Sequence, residues 1–337
     1  MQPQQSQCDF NPAWKQAWFS RAKQFYWIFS LFIVFGVSCE GEKSWGDSPR
    51  DQSKDTIQTV RFVALGDQGT GTEDQYAVAR AMEKFCAVQP CDFAILLGDN
   101  VYPRGVTSVS DPLWQKVFVE PYKNLDLVFY PILGNHDYSS GSDFSRGLIQ
   151  VAYSAENSKW ELPSTFYKLT KGDITFLAVD SQPLYYGIKN SIEDQATFFG
   201  DLLASDTSSW KIVLSHHPFW SNGDHGNAGN YGGIEGKGLA IRQFFLENLC
   251  GKVDLFMAGH DHNLQLLPGP DECPGTFIVS GGGGRKLYDL PGNNPNYFQA
   301  KAFGFTAVTA TIKNLTVEFF NAEGTLMHGQ SFEKVMP

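Results

Sequence analysis

Four times along this chain of 337 residues, a short apolar run ends in Gly followed at once by a side chain that can hold a metal ion. Val60-Arg61-Phe62-Val63-Ala64-Leu65 runs into Gly66-Asp67, and Asp92 to Leu97 into Gly98-Asp99. Leu127 to Leu133 runs into Gly134-Asn135-His136-Asp137, and Val253 to Ala258 into Gly259-His260-Asp261-His262. A fifth run, Lys211-Ile212-Val213-Leu214, leads to Ser215-His216-His217 without the glycine. Unbroken apolar runs of this length read as strands buried on both faces, and so predict sheets covered by helices. In open α/β sheets the functional crevice lies beyond the carboxyl ends of the strands. A glycine at such an end is expected to let the backbone turn sharply, aiming the next side chain into a common crevice. Six of the seven histidines sit on these ends or just after them, and only His328 does not. One Gly-Asp after a strand is an ordinary turn; the whole set points to one site.

Further strands are expected at 174–179, 276–280, 305–312 and 315–320, the last two joined at Lys313-Asn314. Thr72-Glu73-Asp74-Gln75 has capping-box spacing and should open a helix with Ala77, Val78, Ala81, Met82 and Phe85 inward. Length alone suggests two domains, but no linker, repeat or low-complexity segment divides residues 59–337, which therefore read as one α/β domain. The hydrophobic fraction of 42% with 18% charged residues excludes a largely disordered chain. A net charge of -10 tells against nucleic acid as a partner, since phosphate backbones call for a basic face.

The front of the chain reads differently. Lys15, Arg21 and Lys23 precede an apolar run from Phe25 to Phe35, which ends in Gly36-Val37-Ser38-Cys39. The run is short for a membrane span, which needs roughly 20 residues, and suits the apolar region of an export signal. Residues 1–38 are thus expected to be an export signal, with 39–58 a polar tether. The ending resembles a bacterial lipoprotein box with Cys39 as the lipidated residue; ordinary cleavage and an uncleaved anchor are the alternatives. The expected location is the bacterial cell envelope or periplasm, or the extracellular space, with any membrane contact through this segment alone. Four cysteines follow Cys39, and sequence proximity favours the pairs Cys86–Cys91 and Cys250–Cys273, against buried free thiols.

The candidate donors are Asp, Asn and His, with Tyr102 three residues past Asp99. Carboxylates and imidazoles favour iron, manganese or zinc over soft ions. Two such ions about 3.5–4 Å apart, bridged by a carboxylate, are a common arrangement for phosphoester hydrolysis.

The set Gly66-Asp67-Gln68-Gly69, Gly98-Asp99-Asn100-Val101-Tyr102, Gly134-Asn135-His136, Val213-Leu214-Ser215-His216 and Gly259-His260-Asp261-His262 resembles the five motifs of the purple acid phosphatases. The resemblance covers roughly residues 59–330 and is to the small, single-domain, tartrate-resistant type within the metallophosphoesterases. It implies a four-layer α/β/β/α sandwich of two mixed β-sheets flanked by helices. It implies a ferric site of Asp67, Asp99, Tyr102 and His262, and a divalent site (Fe, Zn or Mn) of Asp99, Asn135, His216 and His260, bridged by Asp99. His136 and His225 would bind substrate and protonate the leaving group, with a metal-held hydroxide attacking phosphorus. Either could be the general acid, and His217 would pack beside His216.

The implied activity is acid phosphatase action on phosphorylated small molecules or phosphoproteins, by a monomer. The alternatives are a dinuclear phosphodiesterase or nucleotidase and a non-catalytic surface-binding lipoprotein. Iron redox chemistry is a side activity that only the resemblance implies. The resemblance also places an inhibitory surface loop between Asp180 and Ser191, here shorter, which tells against regulation by proteolysis there. Gly281-Gly282-Gly283-Gly284-Arg285 lacks the Lys-Ser/Thr of a P-loop and is expected to be a flexible rim loop.

Overall fold

The computed structural model describes residues 59–334 apart from Ser140 and Ser142; the expected export signal and the tether lie outside the described residues. The first half runs β1 (Val60–Leu65), α1 (Glu73–Val88), β2 (Phe93–Leu97), β3 (Phe129–Ile132), α2 (Ser145–Tyr153), β4 (Tyr167–Lys171) and β5 (Ile174–Val179). Next come α3 (Ser181–Tyr185), α4 (Lys189–Ser205), β6 (Trp210–Ser215), α5 (Leu239–Asn248), β7 (Leu255–Ala258), β8 (Leu264–Pro268) and β9 (Thr276–Ser280). The chain closes with β10 (Phe298–Ala300), β11 (Gly304–Ala310), β12 (Asn314–Asn321) and β13 (Leu326–Glu333).

Two mixed sheets result, one ordered β13-β12-β11-β1-β2-β3 and the other β10-β8-β9-β7-β6-β5-β4. The site-bearing strands β1, β2 and β3 are parallel neighbours, as are β5, β6, β7 and β9. All five residues of β2 and all six of β5 are buried, as their unbroken apolar sequences require. The sheets pack face to face through rings: Phe62 of β1 stacks on Phe93 of β2 at 5.2 Å and meets Phe176 of β5 edge-on at 5.2 Å. Outside the first sheet, Phe85 of α1 packs on Phe305 and Phe320. Outside the second, Phe199 of α4 and Ile241, Phe244 and Phe245 of α5 cover Leu177, Val213 and Phe256. This is the expected four-layer α/β/β/α sandwich. Both expected disulfides, Cys86–Cys91 and Cys250–Cys273, are present.

Three local expectations need correcting. Thr72 precedes α1 but its side chain makes no cap; Gln75 instead accepts from Gly71 N at 2.7 Å, so half of the capping box forms, one residue early. Gly281 to Gly284 are not a flexible rim. A Cβ would fall 2.2 Å from Asp261 O at Gly281, 2.5 Å from Ala302 O at Gly282, 2.4 Å from Gly66 O at Gly283 and 2.8 Å from the Gln75 side chain at Gly284. These four glycines are there for close backbone approach beneath the site. Sharp turning is also not the main role of the strand-end glycines. Gly98 does have φ +89, but Gly66, Gly134 and Gly259 do not enter the left-handed region. A Cβ on Gly134 would lie 2.3 Å from Asp99 N and Oδ1, and one on Gly259 2.7 Å from Asp67 Oδ2.

Candidate metal centre

The carboxyl ends of the strands are knitted together by their own backbone, within each sheet and once between the sheets. Gly66 N donates to Ser280 O at 2.7 Å, Asp67 N to Gly98 O at 3.0 Å, and Gly259 N to His216 O at 3.2 Å. The turning is done by the candidate ligands themselves: Asp67, Asp99 and His260 have φ of 60°, 54° and 67°. Left-handed backbone at a non-glycine residue costs roughly 1–2 kcal/mol, and such strain persists only where the surroundings over-determine it. Here the carboxylates fix the loops in return, since His260 N donates to Asp67 Oδ2 and His136 N to Asp99 Oδ1, both at 2.8 Å.

The seven candidate ligands fall into two groups that share Asp99. The Tyr102 hydroxyl lies 3.0 Å from Asp67 Oδ1, 2.8 Å from Asp99 Oδ2 and 3.3 Å from His262 Nε2. His216 Nε2 lies 3.5 Å from Asp99 Oδ1, 3.1 Å from Asn135 Oδ1 and 3.2 Å from His260 Nδ1. The two oxygens of Asp99 therefore face different groups. Ligand atoms of Asp67, Asp99 and His216 all lie within 4.8 Å of one another. The rings are oriented from behind: His216 Nδ1 donates to Leu97 O at 2.9 Å and His262 Nδ1 to Lys286 O at 2.7 Å, which leaves each Nε2 toward the centre.

Buried carboxylates beside a phenol and imidazoles form an arrangement that a cation would relieve. Burial pushes the Tyr102 phenol well above its usual range, and the carboxylates of Asp67 and Asp99 push it further. Burial opposes the charged forms of Asp67, His216 and His262, but mutual attraction wins: Asp67 is lowered chiefly by His262, His216 is raised by Asp99 and His262 by Asp67. His260 is held well below the usual imidazole range by burial and then by His225. Imidazole nitrogens, carboxylates, an amide oxygen and a phenol together suit hard or borderline ions, so the residues fit a dinuclear centre.

The other histidines take distinct places. His136 lies against the Tyr102 ring at 4.4 Å, with Nδ1 2.7 Å from Pro103 O. His225 stacks on His260 at 3.8 Å, its own N–H held by Asp261 Oδ1 at 2.8 Å. His217 is buried against Tyr185 and bonds Ser181 Oγ at 2.8 Å. His328 sits on β13, stacked on Phe298, away from the others. Burial, then His262, lowers the His225 imidazole to about 4.

Some participants were not legible beforehand. Asp137 is fully buried and accepts from Gly134 N, Asn100 N, Val101 N and Gln150 Nε2, tying the Asp99 loop to the Asn135 loop. Arg285 lies 4.8 Å over the Tyr102 ring and Tyr288 stacks on His262 at 3.9 Å. Asp137 stood in a recognised motif, and its type signalled a polar role. Arg285 and Tyr288 carry no spacing signal, because an irregular loop delivers them.

Residues 60–264 match the calcineurin-like phosphoesterase family. Purple acid phosphatase 4 of Arabidopsis thaliana is 30% identical over 82% of this chain and 85% of its own length. Tartrate-resistant acid phosphatase type 5 of Homo sapiens is 26% identical over 79% of this chain and 88% of its own. Among solved structures, GAP50, the anchor in the inner membrane complex of Plasmodium, superposes with a TM-score of 0.66 at 19% identity, over 82% of this chain and 90% of that one, a likeness of fold alone. The chain belongs to the calcineurin-like phosphoesterases and, within them, to the purple acid phosphatases. It is a phosphatase of the dimetal class.

Proposed function

We propose that this protein is an acid phosphatase that hydrolyses phosphate monoesters at a centre of one ferric and one divalent ion, the latter Fe, Zn or Mn. The observation that carries the reading is the division of Asp99, with Oδ2 beside Tyr102 and Oδ1 beside His216. In this reading Asp67, Asp99, Tyr102 and His262 hold the ferric ion, and Asp99, Asn135, His216 and His260 the divalent one. Such a pair would supply charge neutralisation at the phosphoryl group and activate water at acidic pH.

The chain's own residues do the rest. Tyr102 suits a hard trivalent ion, and Arg285 over its ring adds positive charge on that side. His136 stands by the first group and His225 by the second, so a phosphate between them meets an imidazole from either side. A bound phosphate would raise the pKa of whichever ring it touches, which is how His225, at about 4 in the unliganded chain, comes to hold a proton for the leaving group. Asp261, pushed to about 6 by burial, fixes the His225 loop through its backbone.

The reading includes export and a monomeric enzyme. Two disulfides fit an oxidising compartment. No described helix is long and apolar enough to cross a membrane, which leaves the attachment question to residues 1–58.

The test is p-nitrophenyl phosphate turnover between pH 4 and 7 by protein loaded with iron and a divalent ion. Bis-p-nitrophenyl phosphate serves as the diester comparison. Monoester turnover should dominate; its absence from metal-loaded protein refutes the reading, and a diester preference replaces it with the phosphodiesterase. The loaded protein should also be coloured, and Tyr102→Phe should abolish the visible band. A band that survives the substitution overturns the role given to Tyr102.

A further inference from the structure

A cavity of about 170 Å³ opens beside the second ligand group. His225 and His260 line it together with Gln182, Tyr185, Tyr231 and Lys237, and the proposed hydrolysis uses none of these last four. They are nonetheless firmly placed. Tyr231 is 1 % exposed and its hydroxyl donates to Pro218 O at 2.5 Å. Gly238, at φ +76, makes room for that ring, since a Cβ there would lie 2.3 Å from it. Gly232 N donates to His225 O at 2.7 Å, so the loop that carries Lys237 is tied to a candidate catalytic histidine.

Lys237 is the one lysine or arginine lining this cavity. Lys237 makes no ion pair among the described residues. Gln182 is 2 % exposed, and its Nε2 donates to Gly141 O at 2.9 Å, while its buried Oε1 has no partner.

We propose that this cavity receives the alcohol half of the substrate, and that the preferred substrates are phosphomonoesters whose alcohol carries a second anionic group, bound by Lys237. The inference rests on the monoesterase reading above. Lys237 is then a specificity residue that meets the alcohol rather than the transferred phosphoryl group.

The experiment compares kcat/KM for 3-phosphoglycerate with that for glycerol 3-phosphate, which lacks the carboxylate, on metal-loaded wild type, Lys237→Met and Lys237→Arg. Wild type should prefer the anionic ester by about five-fold, equivalent to about 1 kcal/mol, with the difference in KM. Lys237→Met should bring the ratio to about one, and Lys237→Arg should keep most of it. A wild-type ratio at or below one overturns the proposal. So does a Lys237→Met variant whose ratio is unchanged while both substrates lose equally, which would place Lys237 on the reacting phosphoryl group. Absence of turnover for both esters and for p-nitrophenyl phosphate would instead sink the monoesterase reading beneath it.

Discussion

Asp137 offers the sharpest test of how this site is held. Its carboxylate is buried at the junction of the two loops that carry Asp99 and Asn135. It accepts from Gly134 N at 2.8 Å, Asn100 N at 3.2 Å, Val101 N at 3.1 Å, Asn100 Nδ2 at 3.2 Å and Gln150 Nε2 at 2.7 Å. Burial, then Asp99, pushes it to about 6, so at neutral pH it is ionised. Asp137→Ala would strand three buried backbone N–H groups at about 1–3 kcal/mol each. Asn100 Nδ2 keeps Ile132 O as an alternative acceptor at 2.8 Å, and water entering the vacated space recovers part of the loss. The expected net cost is about 4 kcal/mol, or roughly three decades in the folding equilibrium. Asp137→Asn should cost nearly as much, because its amide would turn N–H groups toward donors. Divalent-metal affinity should also fall about 10–100-fold, the usual effect of losing a group that orients ligands. Denaturant unfolding of the metal-free protein at pH 7 measures the first quantity and calorimetric zinc titration the second. A variant within about 0.5 kcal/mol of wild type, the scatter of an ordinary surface substitution, would refute the reasoning.

Two further outcomes follow from the same geometry. Gly134→Ala requires no forbidden backbone angle, but its Cβ would collide with Asp99 N and Oδ1 at 2.3 Å, so kcat/KM should drop by at least about 100-fold through displacement of Asp99; wild-type kinetics in this variant would contradict the packing. Asp180, which accepts from Tyr138 OH at 2.6 Å, is raised to about 7, chiefly by burial. A carboxyl whose folded pKa lies above its unfolded value loses stability as pH rises from about 4 to 7, because the folded state then holds the extra proton. Asp180→Asn should therefore gain on wild type between pH 5 and pH 8 in paired denaturation curves. Parallel pH dependence of the two proteins would show that Asp180 titrates normally.

The strands that carry ligands were readable because each is buried on both faces, which leaves an unbroken apolar run such as Phe93-Ala94-Ile95-Leu96-Leu97. Strands β4, β10 and β13 gave no such signal. β13 lies at a sheet edge, where Leu-Met-His-Gly-Gln-Ser-Phe-Glu alternates between exposed and half-buried, and β10 has only three residues. β8 followed the His260 motif directly and was hidden by it. Proximity in sequence was enough for both disulfides, since neither spans more than 23 residues.

For the site, local sequence determined which side chains stand at strand ends, because the end of an apolar run and the residue after it are local facts. The sorting of those side chains into two groups rested on family resemblance, and the structure brings the same residues together. What only the tertiary structure decided is how the ligands are held and what surrounds them. Left-handed backbone at Asp67, Asp99 and His260, the Asp137 clamp, Arg285 over Tyr102 and the cavity with Lys237 and Gln182 all arise where distant loops meet. The lowering of His225 to about 4 belongs with them. Burial and the charge of neighbours far along the chain set a pKa, and neither quantity exists until the two sheets close over the site.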